Sequence, residues 1–199
     1  MRGPKRAAFV VYGQILWLGR FFMVKRLRES GTAASLLPAS QLATSPLTAK
    51  LLAAKLLTAK QGAAIKNNKE RGEWAELQFM ARAAGMGFGV AKPWGESKPY
   101  DVGIEYGGRY IRVQVKSTIN KVDNSYVCNT RPYRRERPYT IGQIDFLAAY
   151  VILVDVWYII PARVAIKLEG NIWLSPHKKG HKYEQFMEAW ELLKDGRGR

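Results

Sequence analysis

Between residues 101 and 116 polar and apolar positions alternate on both sides of Gly107-Gly108. Val102, Ile104, Ile111, Val113 and Val115 fall on one face, and Asp101, Glu105, Tyr110, Arg112, Gln114 and Lys116 on the other. Two alternating runs around a Gly-Gly pair predict a hairpin whose two-residue turn needs positive φ. With those glycines as the turn, Tyr106 faces Arg109 and Asp101 faces Gln114. Directly opposed side chains have Cβ atoms roughly 5 Å apart. Asp101 and Gln114 are then near enough to share one cation, with Lys116 two residues further along the same face. A half-exposed hairpin whose wet side is merely polar gives the same alternation.

Around this hairpin other elements follow. Asn67 or Asn68 suits the N-cap of a helix running to about Ala84, with Gly85 as its C-cap. At 100° per residue Trp74, Leu77, Met80, Ala81 and Ala84 share a face. Glu73 and Glu76 lie on or beside that face, while Arg71, Gln78 and Arg82 lie opposite. Acids on an inward helix face require a cation or an ion-pair partner. A strand is expected over 87–92 and a short one over 126–129. The continuous apolar runs 146–152 and 156–160 read as buried strands with Asp155 in the turn between them. Trp173 marks a further short strand. Residues 183–194 predict a closing helix with Phe186, Trp190 and Leu193 facing in.

The first third of the chain has a different pattern. Residues 31–60 are rich in Ala, Leu, Ser and Thr, and Leu47, Leu52 and Leu57 begin near-repeats ending at Lys50, Lys55 and Lys60. A five-residue period matches neither 3.6 nor 3.5, so it predicts a low-complexity linker, at most transiently helical. The apolar run from Ala7 to Leu18 is broken by Gly13 and Gln14 and is too short to span a bilayer. Neither secretion nor a membrane anchor is expected. The expected division is a basic, poorly ordered extension over 1–66 and a folded domain over 67–195.

Charge sharpens this division. Of a formal net charge of +16, residues 1–69 supply 12 Lys/Arg against one acid, Glu29. A polyanion is the expected partner, nucleic acid before membrane. Cys128 is the sole cysteine, which fits a reducing cytoplasm. His177 and His181 lie in a Lys/Gly-rich loop without the pattern of a zinc site, so either phosphate contact or no role is expected of them. Arg131, Arg134, Arg135 and Arg137, interleaved with Tyr133 and Tyr139, suit a loop that tracks a nucleic-acid backbone. A merely solvated loop is the alternative. Lys98, in a Gly/Ser/Lys loop, is a further candidate for phosphate contact.

A helix glutamate, a strand, Pro99-Tyr100-Asp101, a hairpin and Gln114-Val115-Lys116 together resemble the PD-(D/E)XK nuclease superfamily. The likeness is to its small intron homing-endonuclease and Holliday-junction-resolvase branches. Gly72 and Glu76 match the G-x-x-x-E of the first helix, with Glu73 as the neighbouring acid. Asp101 matches the motif aspartate, and Gln114 and Lys116 match the Q-x-K form. Gln114 is neutral where most of the superfamily has a carboxylate. The resemblance implies an α/β fold with a restriction-endonuclease-like core, a central mixed sheet flanked by helices. It also implies a metal-dependent endonuclease that hydrolyses DNA phosphodiesters, with catalytic Glu76, Asp101, Gln114 and Lys116. Mg²⁺, or Mn²⁺, would be held by Asp101, Gln114, the Val115 carbonyl and Glu76. A homodimer or larger assembly is implied too. A catalytically silent nucleic-acid-binding module and an RNA-directed nuclease remain open at this point.

Overall fold

The computed structural model describes residues 46–95, 97–131, 139–140, 142–168 and 170–196. Tyr133, Arg134, Arg135 and Arg137 lie outside the described residues, as does the apolar run over 7–18.

The sheet at the centre is mixed. Strands β1 (Gly89–Ala91), β2 (Val102–Tyr106), β3 (Arg109–Thr118), β6 (Phe146–Val151) and β7 (Val156–Pro161) lie side by side in that order. Only β3 and β6 run parallel; the other neighbours are antiparallel. Strands β4 (Lys121–Val122), β5 (Ser125–Asn129) and β8 (Asn171–Leu174) form a second, antiparallel sheet. Helices α1 (Pro46–Ala64), α2 (Asn68–Gly85), α3 (Ala162–Ala165) and α4 (Glu191–Asp195), with 3₁₀ turns over Ile152–Val154 and Glu184–Phe186, complete the described elements. No helix among the described residues is long and apolar enough to cross a membrane.

The apolar run of β6 has the composition of a strand buried on both faces. Phe146, Ala148 and Tyr150 join the core under α2, while Leu147, Ala149 and Val151 join the core on the side of the small sheet. On the α2 side, Phe79 packs 5.4 Å from the Trp157 ring and 5.2 Å from Trp190. Val102, Ile104, Ile111, Val113 and Val115 lie in that same core, so the apolar face of the hairpin is the buried one.

Three elements differ in detail from the sequence expectation. Asn67 does cap α2, its side chain accepting from the Lys69 N–H at 2.8 Å. Gly85, however, is still helical; Met86 is the C-cap and Gly87 takes the positive φ of +85°. The buried face of α2 is Ala75, Phe79 and Ala83, with Trp74 and Met80 at its edges, whereas Leu77 is exposed. Small side chains let the helix approach the sheet closely and leave Phe79 to fill the aromatic gap.

The closing segment is not one helix. A 3₁₀ turn over Glu184–Phe186 is followed by extended Met187 and by Glu188 at φ +52°, before α4 begins. Glu188 is held out of helix by its contacts: its carboxylate accepts from the Trp157 N–H and the Trp190 indole N–H, both at 2.8 Å. Phe186, Trp190 and Leu193 are nevertheless buried as expected. Arg109, just past the hairpin turn, donates to the Asp195 carbonyl at 2.7 Å and to the Lys194 carbonyl, which ties the chain's end to the hairpin.

The five-residue repeats are not a linker over their described part, because they form α1. Alanine, leucine and lysine are strong helix formers, yet Leu52, Leu56 and Leu57 stay exposed, since the repeat makes no stripe. Contact is confined to the end of the helix, where Ala59 is buried and Gly62 lies against Trp74 and Ile152 so closely that a Cβ would collide with both. A chain beginning at residue 66 is therefore expected to fold cooperatively, but to melt a few degrees below one beginning at residue 46. Burying Ala59 and covering Trp74 is worth about 1–2 kcal/mol. Thermal melts of the two truncations check this; failure of the shorter chain to fold would move the domain boundary upstream.

Candidate active site

The two-residue turn sets the geometry of the site. Gly107 and Gly108 have φ of +57° and +73°, and the register runs Tyr106↔Arg109 through Val102↔Val113. One residue beyond the last pair, the Asp101 N–H donates to the Val113 carbonyl at 3.0 Å, which leaves Asp101 beside Gln114. The Asp101 carboxylate accepts from the Val115 N–H at 2.8 Å and from the Gln114 side-chain amide. That amide nitrogen also lies 3.4 Å from the Val115 carbonyl oxygen.

Gln114 is buried, and Lys116 projects from the same face of β3. The Lys116 ammonium lies 5.8 Å from the centre of the Tyr139 ring. Burial pulls its pKa below the usual lysine range, against the opposing pull of Asp101. Burial likewise pushes the Asp101 carboxyl up to about 6; the Val115 hydrogen bond offsets this in part, and the nearby Glu76 charge adds to it. Asp101 is thus a desolvated carboxylate, and among the described residues it makes no ion pair.

Glu76 reaches the same neighbourhood from α2 and is paired with Lys92, Nζ to Oε2 at 2.7 Å. Glu73 is exposed. Glu76, Asp101, Gln114, Val115 and Lys116 therefore converge, with the Lys92 ammonium added. Nothing in the sequence marks Lys92: it is one cation just past a short strand, and only the fold brings it to the helix acid. Arg112, on the same face as Gln114, is committed elsewhere. It binds the buried Asp145 carboxylate through Nε at 3.0 Å and through its backbone N–H at 2.9 Å.

The predicted backbone-contact residues that are described stand apart from this cluster. Lys98 is exposed in the loop before Asp101. Arg131 is exposed beyond β5, its backbone N–H donating to the Asn129 side chain at 2.9 Å, and its guanidinium lies beside Gly170.

The donor set suits a hard divalent cation. Among the described residues no three His, Cys, Asp or Glu side chains cluster to hold a metal. The Asp101 carboxylate, the Gln114 amide and the Val115 carbonyl meet here instead, with the Glu76 carboxylate near enough for its charge to act on Asp101; all can offer oxygen. The Gln114 amide presents nitrogen to two oxygens, and a half-turn about its last bond presents oxygen in its place. Three oxygens then face one another, an arrangement that a bound cation stabilises.

Comparison with known proteins gives the family and the fold. The PD-(D/E)XK endonuclease profile matches residues 66–193. The structure of a bacterial homing endonuclease, I-Ssp6803I, superposes with a TM-score of 0.59 at 30% identity, covering 65% of this chain and 94% of that one. Comparison with curated proteins finds no match. The chain belongs to the PD-(D/E)XK endonuclease family. Its fold class and its nuclease character, expected from the motif, are those of that family.

Proposed function

We propose that this protein is a Mg²⁺-dependent endonuclease that hydrolyses phosphodiester bonds of DNA, with Mn²⁺ as a second usable ion. One observation carries the reading: the half-buried Asp101 carboxylate, with no ion pair among the described residues, sits against Gln114 and accepts from the Val115 N–H, with Lys116 on the same face. The family match and the homing-endonuclease likeness support DNA as the substrate, and the net charge of +16 suits a polyanion.

Asp101, the Gln114 amide oxygen, the Val115 carbonyl and Glu76 would hold the ion. When bound, the ion polarises the phosphoryl oxygen and lowers the pKa of the attacking water. The chain's own residues do the rest. Lys116 is desolvated, so its ammonium interacts strongly with charge that develops on the phosphate, and it orients the attacking water. Lys92 neutralises Glu76, which would otherwise be free to help hold the ion. Arg131 and Lys98, with Tyr133, Arg134, Arg135 and Arg137, would hold the DNA backbone. A homodimer or larger assembly would bring two such sites to a duplex, and a cytoplasmic location suits the single buried thiol of Cys128.

Cleavage of supercoiled plasmid in Mg²⁺ against EDTA tests the reading, and Gln114 sharpens it. Gln114→Glu adds a third carboxylate at nearly the same size, so cleavage should persist at several-fold lower Mg²⁺. Gln114→Leu keeps the bulk without a ligand atom and should lose cleavage with the fold intact. Three superimposable Mg²⁺ titrations would remove Gln114 from the site. Binding without cutting in any metal would instead favour a silent DNA-binding module.

A further inference from the structure

Trp94 is 98% exposed, the largest exposure of any bulky apolar side chain among the described residues. Its loop is anchored at both ends in the candidate site. Lys92 is fixed to Glu76 at 2.7 Å on one side, and Asp101 is fixed to Val115 at 2.8 Å on the other. Two peptide units hold the Trp94 Cα within about 8 Å of the Lys92 Cα. Successive nucleotides of a strand are about 3.4 Å apart along the duplex axis, so the indole stays within a few nucleotides of the reacting phosphate.

The chemistry of the loop narrows its partner. A lone ring offers one planar face, far short of the roughly 1,000 Å² that a specific protein interface needs. Cations at Lys92 and Lys98 flank it, and Gly95 at φ +70° turns the chain sharply beside it. A planar aromatic face, with the exposed Lys98 ammonium in the same loop to attract phosphate, suits a nucleobase unstacked from the duplex. We infer that Trp94 stacks on a nucleobase of the DNA beside the scissile phosphate, holding the strand in register with Asp101 and Lys116. This rests on the DNA endonuclease reading above.

The test uses the full chain, sheared mixed-sequence duplex DNA and Ca²⁺ in place of Mg²⁺, so that binding is read without cutting. Subtracting the fluorescence of Trp94→Phe from that of the parent isolates the Trp94 emission. Saturating DNA should quench that emission and shield it from acrylamide. Trp94→Ala should bind about tenfold more weakly, while Trp94→Phe, which keeps a stacking face, should stay within about threefold. If the parent binds DNA and Trp94 emission is unchanged, or Trp94→Ala binds as the parent does, the inference falls and the endonuclease reading stands. If the parent neither binds nor cuts DNA, both fall.

Discussion

Asp101→Asn should lose cleavage by about a thousandfold and yet melt several degrees above the parent protein at neutral pH. The loss follows from removing a charged oxygen from the ion's binding set. Charge stabilisation by a bound ion is worth several kcal/mol, at 1.36 kcal/mol per decade of rate. The gain follows from linkage. The Asp101 carboxyl has an ordinary value of 3.8 and is pushed up to about 6 by burial, so the folded chain holds the proton more tightly than the unfolded chain. Its contribution to stability is therefore full below about pH 3.8 and is lost as pH rises through about 6. At pH 7.5 the ionised, desolvated group costs up to roughly 3 kcal/mol. The neutral amide avoids that cost while still accepting from the Val115 N–H. Melts at pH 7.5 and pH 3.5 should show the difference between the two proteins shrink at the lower pH. Equal melting temperatures at both would mean that Asp101 is not desolvated. The same shift makes metal-dependent cleavage fall as pH drops through about 6.

Asp155→Ala should cost about 3–5 kcal/mol, the usual penalty for removing one partner of a buried ion pair. Asp155 is 3% exposed and takes two hydrogen bonds from Arg82, at 3.0 and 3.2 Å, and one from the Tyr150 hydroxyl at 2.7 Å. Arg82 also approaches Glu188 at 3.7 Å, and Glu188 in turn holds Trp157 and Trp190. Loss of Asp155 thus leaves the Tyr150 hydroxyl unpaired in the core and releases the segment before α4. Asp155 also sits at φ +50°, which aspartate tolerates better than alanine. Asp155→Asn keeps the conformation and the Tyr150 contact and should recover part of the loss. Denaturant unfolding of the three proteins separates the effects; an alanine variant within 1 kcal/mol of the parent would dismiss the network as a stabilising element.

The hairpin was legible because period 2 and a Gly-Gly turn leave one register, and that register carried Asp101 to Gln114 before any coordinates. The continuous strands over 146–151 and 156–161 were legible for a similar reason: apolar on both faces, they have few other places to go. The inward face of α2 was not. Its alanines are too small to register as apolar anchors, and Leu77, which does register, points to solvent. The break at Met187 and Glu188 was equally hidden, since the contacts that impose it, to Trp157 and Trp190, come from tertiary structure. Lys92 belongs to the same class: its meaning depends on Glu76, sixteen positions earlier in the chain.

The turn at Gly107-Gly108 has a consequence at the far end of its hairpin. The spacing between Asp101 and Gln114 is measured out along the strands from a loop of two residues, with no spacer at the site itself. Substitution in that loop alters only how readily the backbone turns. Insertion or deletion of a single residue shifts the pairing by one, and a one-residue slip sends every side chain of a strand to the opposite face. Gln114 and Lys116 would then enter the apolar core, and Val113 and Val115 would stand where the ion belongs. The hairpin therefore constrains how the gene can change: codons in the turn can be exchanged, but their number is fixed by chemistry that takes place six residues away.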